Sequence, residues 1–146
     1  MAEPSREYLL QIISSSGLTV LGTTPWPELP TVEQAWKVMA GMETAPAATI
    51  SQKSPHAFAE VDHQWLTQAS NNSLFTDDGS FLISIAGRGS REIGWTSVKW
   101  SDSADLASNP QSDGDPEFVA MSLNGKHICG VTTEEYDYWV VSHQFD

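Results

Sequence analysis

Basic residues are scarce in this chain: 7 Lys and Arg stand against 19 Asp and Glu, a formal net charge of −12 over 146 residues. So acidic a surface repels phosphate backbones and anionic headgroups, which argues against nucleic-acid and membrane partners. Cysteine is nearly absent. Cys129 is the single thiol, and one thiol cannot close an internal disulfide, so a stapled secreted fold is excluded. Long apolar runs are missing too, since none approaches the roughly 18 residues that a membrane-spanning helix needs. Met1-Ala2-Glu3-Pro4 lacks the basic start and the continuous apolar stretch of a secretion signal. Together these absences predict a cytosolic protein, in which the Asn71-Asn72-Ser73 sequon carries no glycan.

Motifs that announce chemistry are also missing. There is no P-loop, no dinucleotide-binding glycine pattern, no Gly-x-Ser-x-Gly elbow and no His-Glu-x-x-His. Sites assembled from distant segments leave no such trace. A small enzyme or ligand-binding module, with a pocket between sheet and helices, therefore stays open beside a protein-binding role.

What is present is enough for one domain with its own core: 40 % hydrophobic and 10 % aromatic residues at the commonest domain length. The pattern predicts an α+β fold, with N-terminal helices packed on a C-terminal antiparallel β-meander, over residues 1–146 as a single domain. Tyr8, Leu9, Ile12 and Ile13 recur at helical spacing over residues 4–16, with Gly17 placed to end the helix. Leu18 to Leu21 reads as a short strand. Thr24 to Pro30 holds three prolines and reads as a rigid loop. Thr31-Val32-Glu33-Gln34 fits a capping box that opens a second helix with Val32, Ala35, Trp36 and Met39 inward. Residues 42–54 read as loop. Residues 55–69 fit two patterns. Ser54-Pro55 is a helix-start signal with Phe58, Val61, Trp65 and Leu66 inward, and is preferred. Alternation of Ala57, Ala59, Val61, His63 and Trp65 would suit a strand.

Beyond Asn72 the texture becomes that of strands. Leu74 to Thr76 and Ser80 to Ile85 read as a hairpin around Asp77-Asp78-Gly79. Gly87 to Ser90 reads as a turn, Glu92 to Trp100 as a strand, and residues 101–116 as a long acidic loop. Glu117 to Leu123, Lys126 to Val131 and Tyr136 to Phe145 complete the meander, the first pair joined by Asn124-Gly125, the signature of a type I′ turn.

Few residues suggest catalysis or metal binding, and the spacing requires no cofactor. His127 and Cys129 share a strand face, and His143 on the last strand is a third candidate. A zinc site needs four ligands, however, and no second pair has ligand spacing. Asp113-Gly114-Asp115-Pro116-Glu117 resembles part of a calcium loop but lacks the full pattern. Glu60, Asp62 and His63 have no evident nucleophile beside them.

Acid and aromatic residues offer more. The second half, residues 74–146, holds 12 acids and 4 bases, against 7 and 3 in the first half. Six tryptophans is a high count for this length. Trp95 and Trp100 are an odd number of residues apart, as are Tyr138 and Trp139, so each pair straddles the two faces of a regular strand. If the helices cover one face, some of these rings point outward as anchors for a protein partner. Cross-strand packing within the sheet accounts for them equally well.

The segments Asp102-Ser103-Ala104-Asp105, Asp113 to Glu117 and Glu134-Glu135-Tyr136-Asp137-Tyr138-Trp139, in an acid-rich α+β chain of this size, give it a character that resembles bacterial immunity proteins. The resemblance implies a cytosolic protein that binds a basic toxin domain and blocks its active site. On that reading Asp113, Asp115, Glu117, Glu134, Glu135 and Asp137 are rim contacts, and Trp100, Tyr138 and Trp139 are anchors. An adaptor or assembly subunit is the remaining protein-binding alternative.

Overall fold

Thr31 caps a helix as the sequence predicts. Its hydroxyl accepts from the Gln34 N–H at 3.1 Å, and its own N–H donates to the Gln34 side-chain oxygen at 2.7 Å. These reciprocal bonds satisfy two of the donors that a helix start leaves orphaned. The computed structural model describes residues 11, 13–14, 17–22, 29–39, 46–85, 94–101, 111–112 and 115–145. The helix expected over residues 4–16 lies mostly outside them, although Ile13 is helical and buried. The loop expected at 24–30 falls largely outside them, and the turn at 87–90 entirely.

In chain order the elements are β1 (Thr19–Gly22), α1 (Val32–Met39), β2 (Ala48–Ser51), α2 (Ala57–Asn71), β3 (Ser80–Ile85), β4 (Thr96–Lys99), β5 (Gln111–Ser112), β6 (Asp115–Pro116), β7 (Phe118–Met121), β8 (His127–Thr133) and β9 (Asp137–Gln144). Seven strands form one antiparallel sheet in the order β1-β4-β3-β7-β8-β9-β2. With both described helices preceding β3, this is an α+β arrangement that is mostly sheet. No helix among the described residues is long and apolar enough to cross a membrane.

Residues 55–69 are helical. The helix starts at Ala57 rather than at Pro55, and His56 at its cap position makes no side-chain cap bond. Ser54 instead donates from its hydroxyl to Glu60 at 3.1 Å. At the other end Ser73 takes a left-handed φ of 58° and the Leu74 N–H reaches back to the Ala69 carbonyl at 3.0 Å. That closure commits Leu74 to capping the helix, so the strand expected over Leu74 to Thr76 does not form. Gly79, at φ 86°, still makes the turn into β3.

Three further expectations are corrected. Residues 48–51, inside the stretch read as loop, form β2 and pair with β9 from Ala48↔Val140 to Ser51↔Asp137. Residues 111–116 are not all loop, because β5 and β6 form a small ribbon. The Asn124-Gly125 turn is not type I′, because Gly125 has φ 74° while Asn124 is not among the residues of positive φ. Asn124 acts through its side chain, which accepts from the Lys126 N–H at 2.9 Å and the Ser122 hydroxyl at 2.6 Å.

The largest difference concerns the faces of the sheet. Phe81, Ile83, Val98, Phe118, Ala120, Cys129, Val131 and Val140 pack with Val61, Trp65 and Ala69 of α2. Leu82, Val119, Met121, Ile128 and Val141 pack with Val32, Ala35 and Met39 of α1. Helices thus cover both faces, and the strand residues of each odd-spaced aromatic pair find cores on opposite sides.

Candidate functional site

The Glu134-to-Asp137 turn joins β8 to β9 and gathers the acids that the strand register brings together. The Glu134 N–H donates to the Asp137 carbonyl at 2.8 Å, which closes the turn. Glu134, Glu135 and Tyr136 project from it, and Tyr136 is 72 % exposed. A neighbouring segment holds the turn in place. Gln52, just past β2, donates its main-chain N–H to the Tyr136 carbonyl at 3.0 Å. Its side-chain amide donates to the carbonyls of Glu134 at 2.6 Å and Asp137 at 3.4 Å. Bonds from a side chain to main-chain oxygens fix the turn itself and leave the acidic side chains free to meet solvent. Ser51, Gln52, Lys53, Glu135, Tyr136 and Asp137 line a shallow cleft here of ≈ 490 Å³.

The candidate partner-binding residues divide unequally around this turn. Glu134, Glu135 and Asp137 belong to it. Glu117 is nearby but half-buried, and its carboxylate accepts from the Thr133 N–H at 3.3 Å. Asp115 lies on β6, whose ribbon runs beside β8. Asp113 lies outside the described residues.

The three aromatic candidates are not free-standing anchors. Tyr138 is buried and its ring meets Phe58 with centroids 5.6 Å apart. Trp139 is half-buried against the α1-side core. Trp100 stacks on Trp65 at 5.9 Å and 27°. It also sits at the opposite end of the sheet. Lys99 pairs with Ser80, whereas Ile85, at the far end of β3, pairs with Phe118 and through it with Val131 near the acidic turn. The expected outward rings fail because α1 covers the second face. Among the described residues the aromatic that does project is Tyr136, which was expected to open the last strand but stands in the turn before it, between Glu135 and Asp137.

The possible chemical residues are dispersed. Register places His143 opposite Ile128, on the α1 side, while Cys129 opposite Ser142 faces α2. Cys129 is fully buried, and burial pushes its thiol well above the ordinary value, the reverse of what a nucleophile requires. Among the described residues no group of three or more His, Cys, Asp or Glu side chains is placed to hold a metal ion.

Glu60 and His63 do share a surface. A second cleft, ≈ 500 Å³, runs between β2 and α2 and is lined by Ala48, Thr49 and Ile50 and by Ala59, Glu60, His63 and Gln64. The two clefts adjoin opposite ends of one short strand. The chain matches no known family model, no curated protein and no solved structure.

Proposed function

We propose that this chain is a cytosolic protein-binding domain that captures a basic partner on the β8–β9 turn, and that it serves as an immunity protein by occupying the active site of a cognate toxin. The observation that carries the reading is Tyr136, exposed between Glu135 and Asp137 on a turn that Gln52 pins by its main chain. An exposed tyrosine supplies contact area at small entropic cost, and flanking carboxylates steer a basic partner into register. The net charge of −12 extends that steering beyond the contact itself. Toxins that act on nucleic acids need cationic active sites, and carboxylates carried on a fixed turn can imitate the phosphates they bind.

The test is association kinetics with a basic toxin domain encoded beside this chain's gene, measured at low and moderate salt. Reversing charge at Glu134 and Asp137 slows association and flattens its salt dependence, while Tyr136→Ala accelerates dissociation. An unaltered on-rate in the charge-reversed protein would sink the assignment of this surface.

A further inference from the structure

We propose that the outer edge of β2, together with the adjoining stripe of α2, is a docking groove for an extended basic segment of a partner protein, which joins the sheet as an added strand. β2 ends the sheet order, so one of its sides has no neighbouring strand among the described residues. Its pairing with β9 is regular from Ala48↔Val140 to Ser51↔Asp137, and continues as Gln52 donates to the Tyr136 carbonyl. Bonds alternate along an antiparallel pair. Residues in phase with Gln52, such as Ile50, therefore turn their main-chain groups to β9, and Thr49 and Ser51 turn theirs outward. The Ser51 carbonyl is taken by the Ser54 N–H at 3.1 Å. That leaves the N–H and C=O of Thr49 and the N–H of Ser51 along the edge with no partner among the described residues.

The two edges of the sheet are built differently. β1, at the far edge, breaks register between Val20 and Gly22, and such irregularities protect an edge from pairing with other chains. β2 keeps one register from Ala48 to Ser51, with no proline and no charged side chain among those four residues, and its irregularity is confined to Ala47 just before it, whose N–H reaches the Val140 carbonyl at 2.7 Å. Its short length limits an incoming strand to a few ladder bonds, which suits reversible docking.

The groove adds side-chain recognition to that edge. Ala48 and Ala59 leave room for alternate side chains of an added strand to settle between β2 and α2, the arrangement by which a strand edge beside a helix reads an extended peptide. Charge selects the occupant. Glu60 is the carboxylate in the lining, and the chain carries −12 overall. A second copy would bring the same charge to the same edge, whereas an extended segment bearing lysine or arginine is attracted. This proposal does not rest on the toxin reading, because turn-charge variants test that one and edge variants test this one.

The probe is a capped peptide of alternating valine and lysine, added to the full chain while amide hydrogen exchange is followed residue by residue. The expected result is that the Thr49 and Ser51 amides slow by about tenfold or more on binding, as newly bonded amides do, while Ile50, already bonded to β9, is unchanged. Thr49→Pro removes an outward N–H without removing a bond to β9, and is expected to abolish binding. If that variant fails to fold, a peptide methylated on its ladder-facing main-chain nitrogens is used on the unaltered protein and should not bind. Several results would overturn the proposal: no slowing at Thr49 and Ser51, equal binding of the methylated peptide, or equal binding of a valine–aspartate peptide. Protection of Thr49 without peptide, rising with concentration as a dimer forms, would also overturn it by making a second copy the occupant.

Discussion

Trp65 donates its indole N–H to the main-chain oxygen of Cys129 at 2.9 Å, and both residues are fully buried. The bond ties α2 to the middle of β8. Around it the indole meets Phe75, Phe81, Trp100 and Phe118 with centroids 5.6 to 5.9 Å apart. Trp65→Phe keeps most of the ring packing and deletes the donor, so a loss of about 1–3 kcal/mol is expected. Trp65→Ala also empties the site and should cost about 3–5 kcal/mol. Urea unfolding measures both, and wild-type stability in Trp65→Phe would show that the bond contributes nothing net.

Cys129 gives a pH signature. Burial raises its folded pKa above the ordinary thiol value of 9.0, so between the two values the unfolded chain releases a proton that the folded chain keeps. Stability from this group is intact below pH 9.0 and falls as pH rises beyond it. Cys129→Ala should flatten that alkaline decline in a series of unfolding midpoints. A thiol reagent should label Cys129 only as fast as the protein opens, and rapid labelling of the native state would contradict its buried placement.

Asp78 acts at the acid end. Hydrogen bonds from the Thr76 hydroxyl, and then from Ser80, stabilise its carboxylate and lower its pKa from 3.8 to about 2. Its contribution is therefore fully present above pH 3.8 and is lost as pH falls toward about 2. Carboxyl titration by NMR should find that low midpoint, and Thr76→Ala should move it back toward the ordinary value. No movement would mean that another group holds the carboxylate.

Gly130 marks where α1 sits on the sheet. A Cβ there would overlap the Met39 methyl and lie 2.6 Å from the Phe118 carbonyl oxygen. Met39 can yield, but the main chain of β7 cannot without disturbing its ladder. Gly130→Ala is expected to destabilise by about 1–3 kcal/mol. Gly130→Ala with Met39→Leu should recover part of that loss, and no recovery at all would place the whole strain on Phe118.

Local features of this fold are legible in the sequence, and distant pairings are not. The Thr31 capping box needs only Gln34, and the inward placement of Val61 and Trp65 needs only helical spacing. β2 was hidden because its partner, Asp137 to Val140, is far along the chain, although alternation of Ala48 and Ile50 with Thr49 and Ser51 is a strand pattern. The unbroken apolar runs Phe81-Leu82-Ile83 and Phe118-Val119-Ala120-Met121 are the mark of strands buried on both faces, which the expectation of a single helix-covered face passed over. The acids of the β8–β9 turn could be found because they are contiguous. Trp100 could not be separated from them without the strand order, which places it at the other end of the sheet.

Both edge strands come from the first half of the chain, yet Thr19 pairs with Lys99 and Ala48 with Val140. During synthesis those segments, and the apolar stripes of α1 and α2 beside them, leave the ribosome well before the strands that will receive them. The chain must therefore hold its first half uncommitted until its last strand is made. A truncation that removes β9 would also strand β2, so the C-terminal end of this protein governs the fate of its beginning.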